Sequence, residues 1–270
     1  MKKLATSLLV LLITVGFASA QNRKELKFDN FTRISFRTAG KLYLRQGSTQ
    51  KVEFEGDKDL IDDLDPRVEG GRLIIGRDNW NWSWGRDERK ITVYVTIPNI
   101  EALGVAGSGD IVAETKITGR DLDLSVSGSG VLELDADISG ELEADVSGSG
   151  HVEVKGKARS FSSHVSGSGR VYLDVAITER ADFGISGSGK IEAKGSAQEV
   201  KASISGSGEV RAADFVVDKC DVRISGSGDV QINVNKELDA HISGSGHVSY
   251  RGNPSHVNSH ASGSGGVRKF

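Results

Sequence analysis

From Leu122 onward the chain alternates apolar and polar residues at a period of two, and every 18 to 21 residues it carries the tetrapeptide Ser-Gly-Ser-Gly or a close variant. The tetrapeptides begin at Ala106, Ser127, Ser147, Ser166, Ser186, Ser205, Ser225, Ser243 and Ser262. The residue just before each is Val or Ile from Val105 to Ile242, and Ala261 in the last copy. The second residue after each is apolar throughout, from Ile111 to Val267. Such alternation describes strands with one face inward and one in water. A further apolar point (Ile117, Ile138, Ala158, Ile177, Ala197) follows the second strand among Gly, Thr, Asp and Lys. A period this regular means one structural unit per copy. The expected fold is therefore all-β: a three-sided parallel β-helix of about 20 residues per coil, each strand pairing with its equivalent one coil away at about 4.8 Å.

The parity runs unbroken through the tetrapeptide. It predicts a corner with both glycines inward, where a Cβ would not fit, and both serines outward in two stacked hydroxyl ladders. Those hydroxyls either bond the neighbouring backbone or face a repeating ligand.

Residues 21–105 lack the tetrapeptide but still alternate around Ile34–Phe36, Leu42–Leu44, Val52–Phe54, Leu73–Ile75 and Ile91–Ile97, with one short helix expected within Asp57 to Leu64. They read as irregular first coils and a cap, continuous with the repeats of residues 106–270. A cap is needed because an open strand edge invites association. The last coil, His260 to Phe270, has no evident cap. It predicts self-association through that end, or a cap supplied by a partner.

The N-terminus changes the setting. Lys2 and Lys3, an apolar run from Leu8 to Phe17 and Ala18-Ser19-Ala20 form an expected secretory signal peptide, residues 1–20. No second apolar run of that kind follows, so no membrane span is expected. The protein is then exported: periplasmic, outer-membrane-associated or extracellular. Acids outnumber Lys and Arg 37 to 34, and this mixed balance leaves no basic footprint for nucleic acid. The single cysteine, Cys220, falls in an apolar column and reads as a buried structural thiol.

Candidate chemistry is sparse. Trp80, Trp82 and Trp84 alternate with Asn81 and Ser83 and are flanked by charges. If extended, they put three indoles on one face, an aromatic platform for a sugar or a partner. The competing reading is a hairpin whose Trp face covers the first coil. His164, His241 and His260 share the outward column two residues before the tetrapeptide, and 241 and 260 fall on adjacent coils. They are the one candidate metal pair, with His256 near, but no carboxylate or cysteine completes a set, so solvent-facing histidines are the competing reading and no metal is expected. Asp110 and Asp229 follow their tetrapeptides, but Val131, Arg170 and Lys190 hold that place elsewhere, which excludes a calcium-binding nonapeptide repeat. No helix start follows the glycines, which excludes a phosphate loop. Glu133, Glu153 and Glu192 share an outward column with Tyr172, Arg211 and Gln231. Near-constant coil length leaves no walls for a cleft, so neither catalytic residues nor cofactors are expected.

One resemblance covers nearly the whole mature chain. Phe31-Thr32-Arg33-Ile34-Ser35, Gly40-Lys41-Leu42-Tyr43-Leu44-Arg45-Gln46-Gly47 and Val93-Tyr94-Val95-Thr96-Ile97-Pro98, leading into Gly107-Ser108-Gly109-Asp110, resemble the head-GIN-domain family of auto-transporter adhesins. The resemblance implies a right-handed parallel β-helix of pectin-lyase-like shape, a signal peptide and a role in adhesion, with no catalytic residues to transfer. No run of amphipathic membrane strands follows Gly266, so the auto-transporter part of the description is not expected to apply. The function expected is a non-enzymatic adhesion, binding or scaffolding module of the cell envelope, with a glycan or cell-surface protein as partner. The alternatives are a carbohydrate-active β-helix enzyme and a purely structural envelope protein.

Overall fold

The computed structural model describes residues 23–76 and 91–270. It is a β-solenoid of about eight turns at a spacing of about 20 residues, as nine corners bounding eight intervals require. Equivalent strands stack in parallel and in register: Val126 on Val146, Val146 on Val165, Val165 on Ile185, and so on to Ile242 on Ala261. The inward columns fill one continuous core, in which Leu124, Leu142, Val165, Val200 and Val222 are fully or almost fully buried. The third apolar column is buried as well, from Ile117 through Ile138, Ala158, Ile177 and Ala197 to Val217. Phe183 packs edge-on between Phe161 and Phe215, at 6.1 and 5.9 Å. Cys220 is buried in the same core, and burial pushes its thiol up, aided by the Asp221 carboxylate.

The corner differs in one respect from the parity argument. Only the second glycine of the tetrapeptide is buried, in every copy but the last, where Gly265 is half-exposed. A Cβ there would overlap the Val or Ile side chain of the preceding coil, Val126 in the case of Gly150. The first glycine is half-exposed or exposed and sits at the bend itself. It adopts positive φ in every copy, +115° at Gly148, where a Cβ would also come within 2.7 Å of the Gly128 carbonyl oxygen. Stacked corners bond through the backbone: the Ser149 N–H donates to the Gly128 carbonyl at 2.8 Å and the His151 N–H to Gly130 at 3.0 Å. Differences in coil length are absorbed elsewhere. The register shifts lie between Ile138 and Glu141, between Glu192 and Lys194, and between Ala212 and Lys219, all remote from the tetrapeptide.

The N-terminal section holds β1 (Arg23–Leu26), β2 (Arg33–Phe36), β3 (Gly40–Gln46), β4 (Lys51–Glu55), α1 (Lys58–Asp63), β5 (Arg67–Glu69), β6 (Arg72–Ile75), β7 (Ile91–Ile97), β8 (Ala102–Gly107) and β9 (Asp110–Ala113). Its coils do not stack in chain order. β2 and β3 pair in parallel with β8 and β9 on one side, and with β6 and β7 on the other. β6 and β7, later in sequence, thus lie outermost among the described parallel strands. Antiparallel strands finish this end: β4 pairs with β7, β1 with β4, and β5 with β6. The short strands β1 and β5 carry Arg23, Lys24, Glu25, Arg67 and Glu69, charges that discourage further pairing. The helix expected within 57–64 is α1, and it contributes Ile61 to the core.

The Gln46 amide joins three segments. Its Nε2 donates to the carbonyls of Pro98 (3.0 Å) and Thr118 (2.9 Å), and its Oε1 accepts from the Thr118 N–H at 2.7 Å. At the other end, every residue of His256–Ser262 is exposed, including Val257 at 43%. That strand pairs with Asp229–Gly244 on one side only among the described residues.

Candidate ligand-binding groove

The strand before each corner points two outward residues at solvent between buried ones. In the C-terminal half, the position two before the tetrapeptide holds His164, Gly184, Ser203, Arg223, His241 and His260, paired rung by rung. Beside this column runs the first serine of each corner: Ser186, Ser205, Ser225, Ser243 and Ser262. Ile185, Ile204, Ile224 and Ile242, whose side chains are buried in the core, contribute mainly their backbone to the floor between them. Together they line a groove of about 600 Å³ along the solenoid axis. From Gly184 to His260 it spans four rung spacings, roughly 19 Å at 4.8 Å each.

Two local features shape it. Gly184 removes one side chain from the wall, and the His164 ring leans into the space, so that a Cβ on Gly184 would stand 2.7 Å from Nδ1. The tetrapeptide serine hydroxyls make no hydrogen bond among the described residues. The bond to the neighbouring coil comes from the serine N–H instead. The expectation that the side chain bonds the neighbour's backbone is corrected accordingly, and the hydroxyls remain available to whatever occupies the groove.

The charges are distributed unevenly along this sheet. Arg223 donates to Asp221 at 2.9 Å and otherwise faces the groove. Toward the N-terminal end the same strands carry Asp123, Glu143 and Asp145. Burial pushes the carboxyls of Asp123 and Glu143 up, and the negative charge of Asp145 adds to it.

The sequence-derived candidates fare differently. His241 and His260 do lie on adjacent rungs, with ring centroids 6.3 Å apart and tilted by 48°. His256 faces Ser255, its Nδ1 3.1 Å from the hydroxyl, and no group of three or more His, Cys, Asp or Glu able to hold a metal occurs among the described residues. The histidine pair belongs instead to the groove wall. Trp80, Trp82 and Trp84 lie outside the described residues. In the glutamate column, Glu153 is paired with Lys155 at 2.7 Å, and Glu192 lies between Lys190 and Arg211. Sequence reading found the histidines of the groove but not Arg223, Ser203 or Gly184. The signal was present, since all six residues stand two before a tetrapeptide.

Residues 30–192 and, again, 164–254 match the model of the family described as "Putative auto-transporter adhesin, head GIN domain". The chain belongs to this family. No curated protein matches it. Among solved structures, it is similar to a "Putative lipid binding protein" from Parabacteroides distasonis, at 25% identity over 92% of this chain and 96% of that one, with a TM-score of 0.70. It shares its fold with a "putative adhesin" of Parabacteroides merdae, at 21% identity, 92% and 95% coverage and a TM-score of 0.67. A "putative adhesin" of Parabacteroides distasonis gives 20%, 92%, 96% and 0.66. A head-GIN-domain protein is thus described as an adhesin rather than an enzyme, which supports a binding role and an exported or cell-surface setting. No helix among the described residues is long and apolar enough to cross a membrane.

Proposed function

We propose that this protein is a non-enzymatic, exported binding module of the cell envelope, and that the groove beside the corner holds an extended glycan along the solenoid axis. The observation that carries this reading is the row of serine hydroxyls, one per coil along the groove, without hydrogen-bond partners among the described residues. A sugar chain presents hydroxyl groups that repeat along its length as the serines of the groove do. Removal of residues 1–20 on export, with Gln21 as the first mature residue, is part of the proposal.

The test is a panel of immobilised bacterial and host glycans probed with the wild type, Ser205→Leu and Ser207→Leu. Both serines belong to one tetrapeptide, but only Ser205 lines the groove. Loss of binding in Ser205→Leu alone is the expected result. Equal behaviour of the two variants, or no glycan bound by the wild type, would overturn the reading.

A second reading has one observation in its favour: the relative titled as a lipid binding protein, together with the mainly apolar floor of this groove. Lipid vesicles and fatty-acid probes belong in the same panel. Binding of these with no glycan bound would favour a lipid ligand.

A further inference from the structure

We infer that the groove selects a carboxylated glycan, its acid groups lying toward Arg223, His241 and His260; this rests on the glycan reading above. The ionisable side chains lining the groove are one guanidinium and three imidazoles, and no carboxylate lines it. A guanidinium carries five N–H donors in a planar fork that suits a carboxylate. Asp221 is the one ion-pair partner of Arg223 among the described residues, so further donors remain for a ligand. Free serine hydroxyls on neighbouring rungs can donate to the same acid group.

The rest of the sheet favours the same direction. The next hollow toward the N-terminus shares His164, Gly184 and Ser203 with the groove, but adds the carboxylates of Glu143, Asp145 and Asp182 against the cations Arg180 and Lys201, of which Arg180 is paired with Asp182. Beyond it, a further hollow is lined by Glu101, Asp121, Asp123, Glu141 and Glu143, with Arg120 as its one cation, paired with Asp121. Burial first, and then the neighbouring Asp145 carboxylate, raise the carboxyls of Asp123 and Glu143 there. Acids outnumber cations in both hollows, most in the farther one, so an acidic chain is disfavoured toward that end and accepted by the half holding Arg223. Like-charge exclusion of this kind sets position as much as attraction does.

The experiment is calorimetric titration of the full chain with uronic-acid oligosaccharides, α-linked galacturonate and β-linked glucuronate, each beside its carboxyl-reduced counterpart. At low salt the acid form is expected to bind about tenfold tighter or more, as one charge-assisted hydrogen bond allows. Added salt should narrow the gap. Arg223 is exposed, so Arg223→Gln should fold; it is expected to abolish the preference while leaving binding of the reduced form. Equal binding of both forms, binding of the reduced form alone, or a preference that survives Arg223→Gln overturns this inference and leaves the glycan reading intact. If neither these oligosaccharides nor any member of the panel binds the wild type, both fail.

Discussion

Gly150 lies directly beneath the Cγ1 methyl of Val126, with no room between them for a Cβ. The same relation repeats up the solenoid, from Gly169 under Val146 to Gly228 under Ile204. Each corner is therefore keyed to the one before it by a missing side chain.

Gly150→Ala must displace Val126 and also crowd the Gly130 carbonyl oxygen, which the new methyl would approach to 2.7 Å. The expected cost is about 1–3 kcal/mol, the usual range for overpacking a close-packed core. Ser149→Ala, in the same tetrapeptide, removes an exposed hydroxyl with no intramolecular partner and should change stability by less than about 0.5 kcal/mol. Denaturant unfolding of the two variants checks the pair. Equal destabilisation would show that the hydroxyls hold the corner after all.

Gln46 supplies the second prediction. Its amide accepts from the Thr118 N–H and donates to the Thr118 carbonyl, as a residue of a neighbouring strand would. Gln46→Ala leaves the Thr118 N–H without this partner and frees the Pro98 carbonyl. These bonds are exposed to water, so the expected loss is about 0.5–1.5 kcal/mol. Hydrogen exchange should rise at Thr118 and stay unchanged in the corners beyond Ser166. Unchanged protection at Thr118 would contradict the role given to Gln46.

The crowded acids give a pH-dependent prediction. The carboxyl of Glu143 is held up by burial, then by Asp145, Asp123 and Glu141. The fold thus prefers its protonated form. That contribution is fully present below the unfolded-state pKa and is lost as pH rises through the raised folded value. Glu143→Gln is therefore expected to raise the melting temperature near neutral pH. The gain should vanish below about pH 4, where the wild-type carboxyl is protonated in both states. A gain that persists in acid would locate its cause in packing instead of charge.

Much of the solenoid was legible because period-two alternation and a fixed repeat need no tertiary information. Val126, Val146 and Val165 stack as their positions in the repeat require. The order of the first coils was not legible. Placing β2 between β6 and β8 depends on which edges remain free once the chain has folded, and no tetrapeptide marks β6. The reason for the first glycine was only half legible, because parity reports direction and says nothing of φ. The groove was hidden for a different reason. His164, His241 and His260 were read as metal candidates or bare surface, whereas their column also carries Arg223 and the gap at Gly184. A column of unlike residues becomes a site only when its neighbours on adjacent rungs are considered together.

The most direct measurement is the protection of histidines from carbethoxylation with and without a bound glycan from the panel, resolved by peptide mass spectrometry. His164, His241 and His260 line the groove, while His151 and His247 stand in a separate outward column beyond the corner. The account predicts that bound glycan slows modification of the first three and leaves His151 and His247 unchanged. Protection of His151 and His247 instead, or equal rates at all five with the glycan bound, would contradict it.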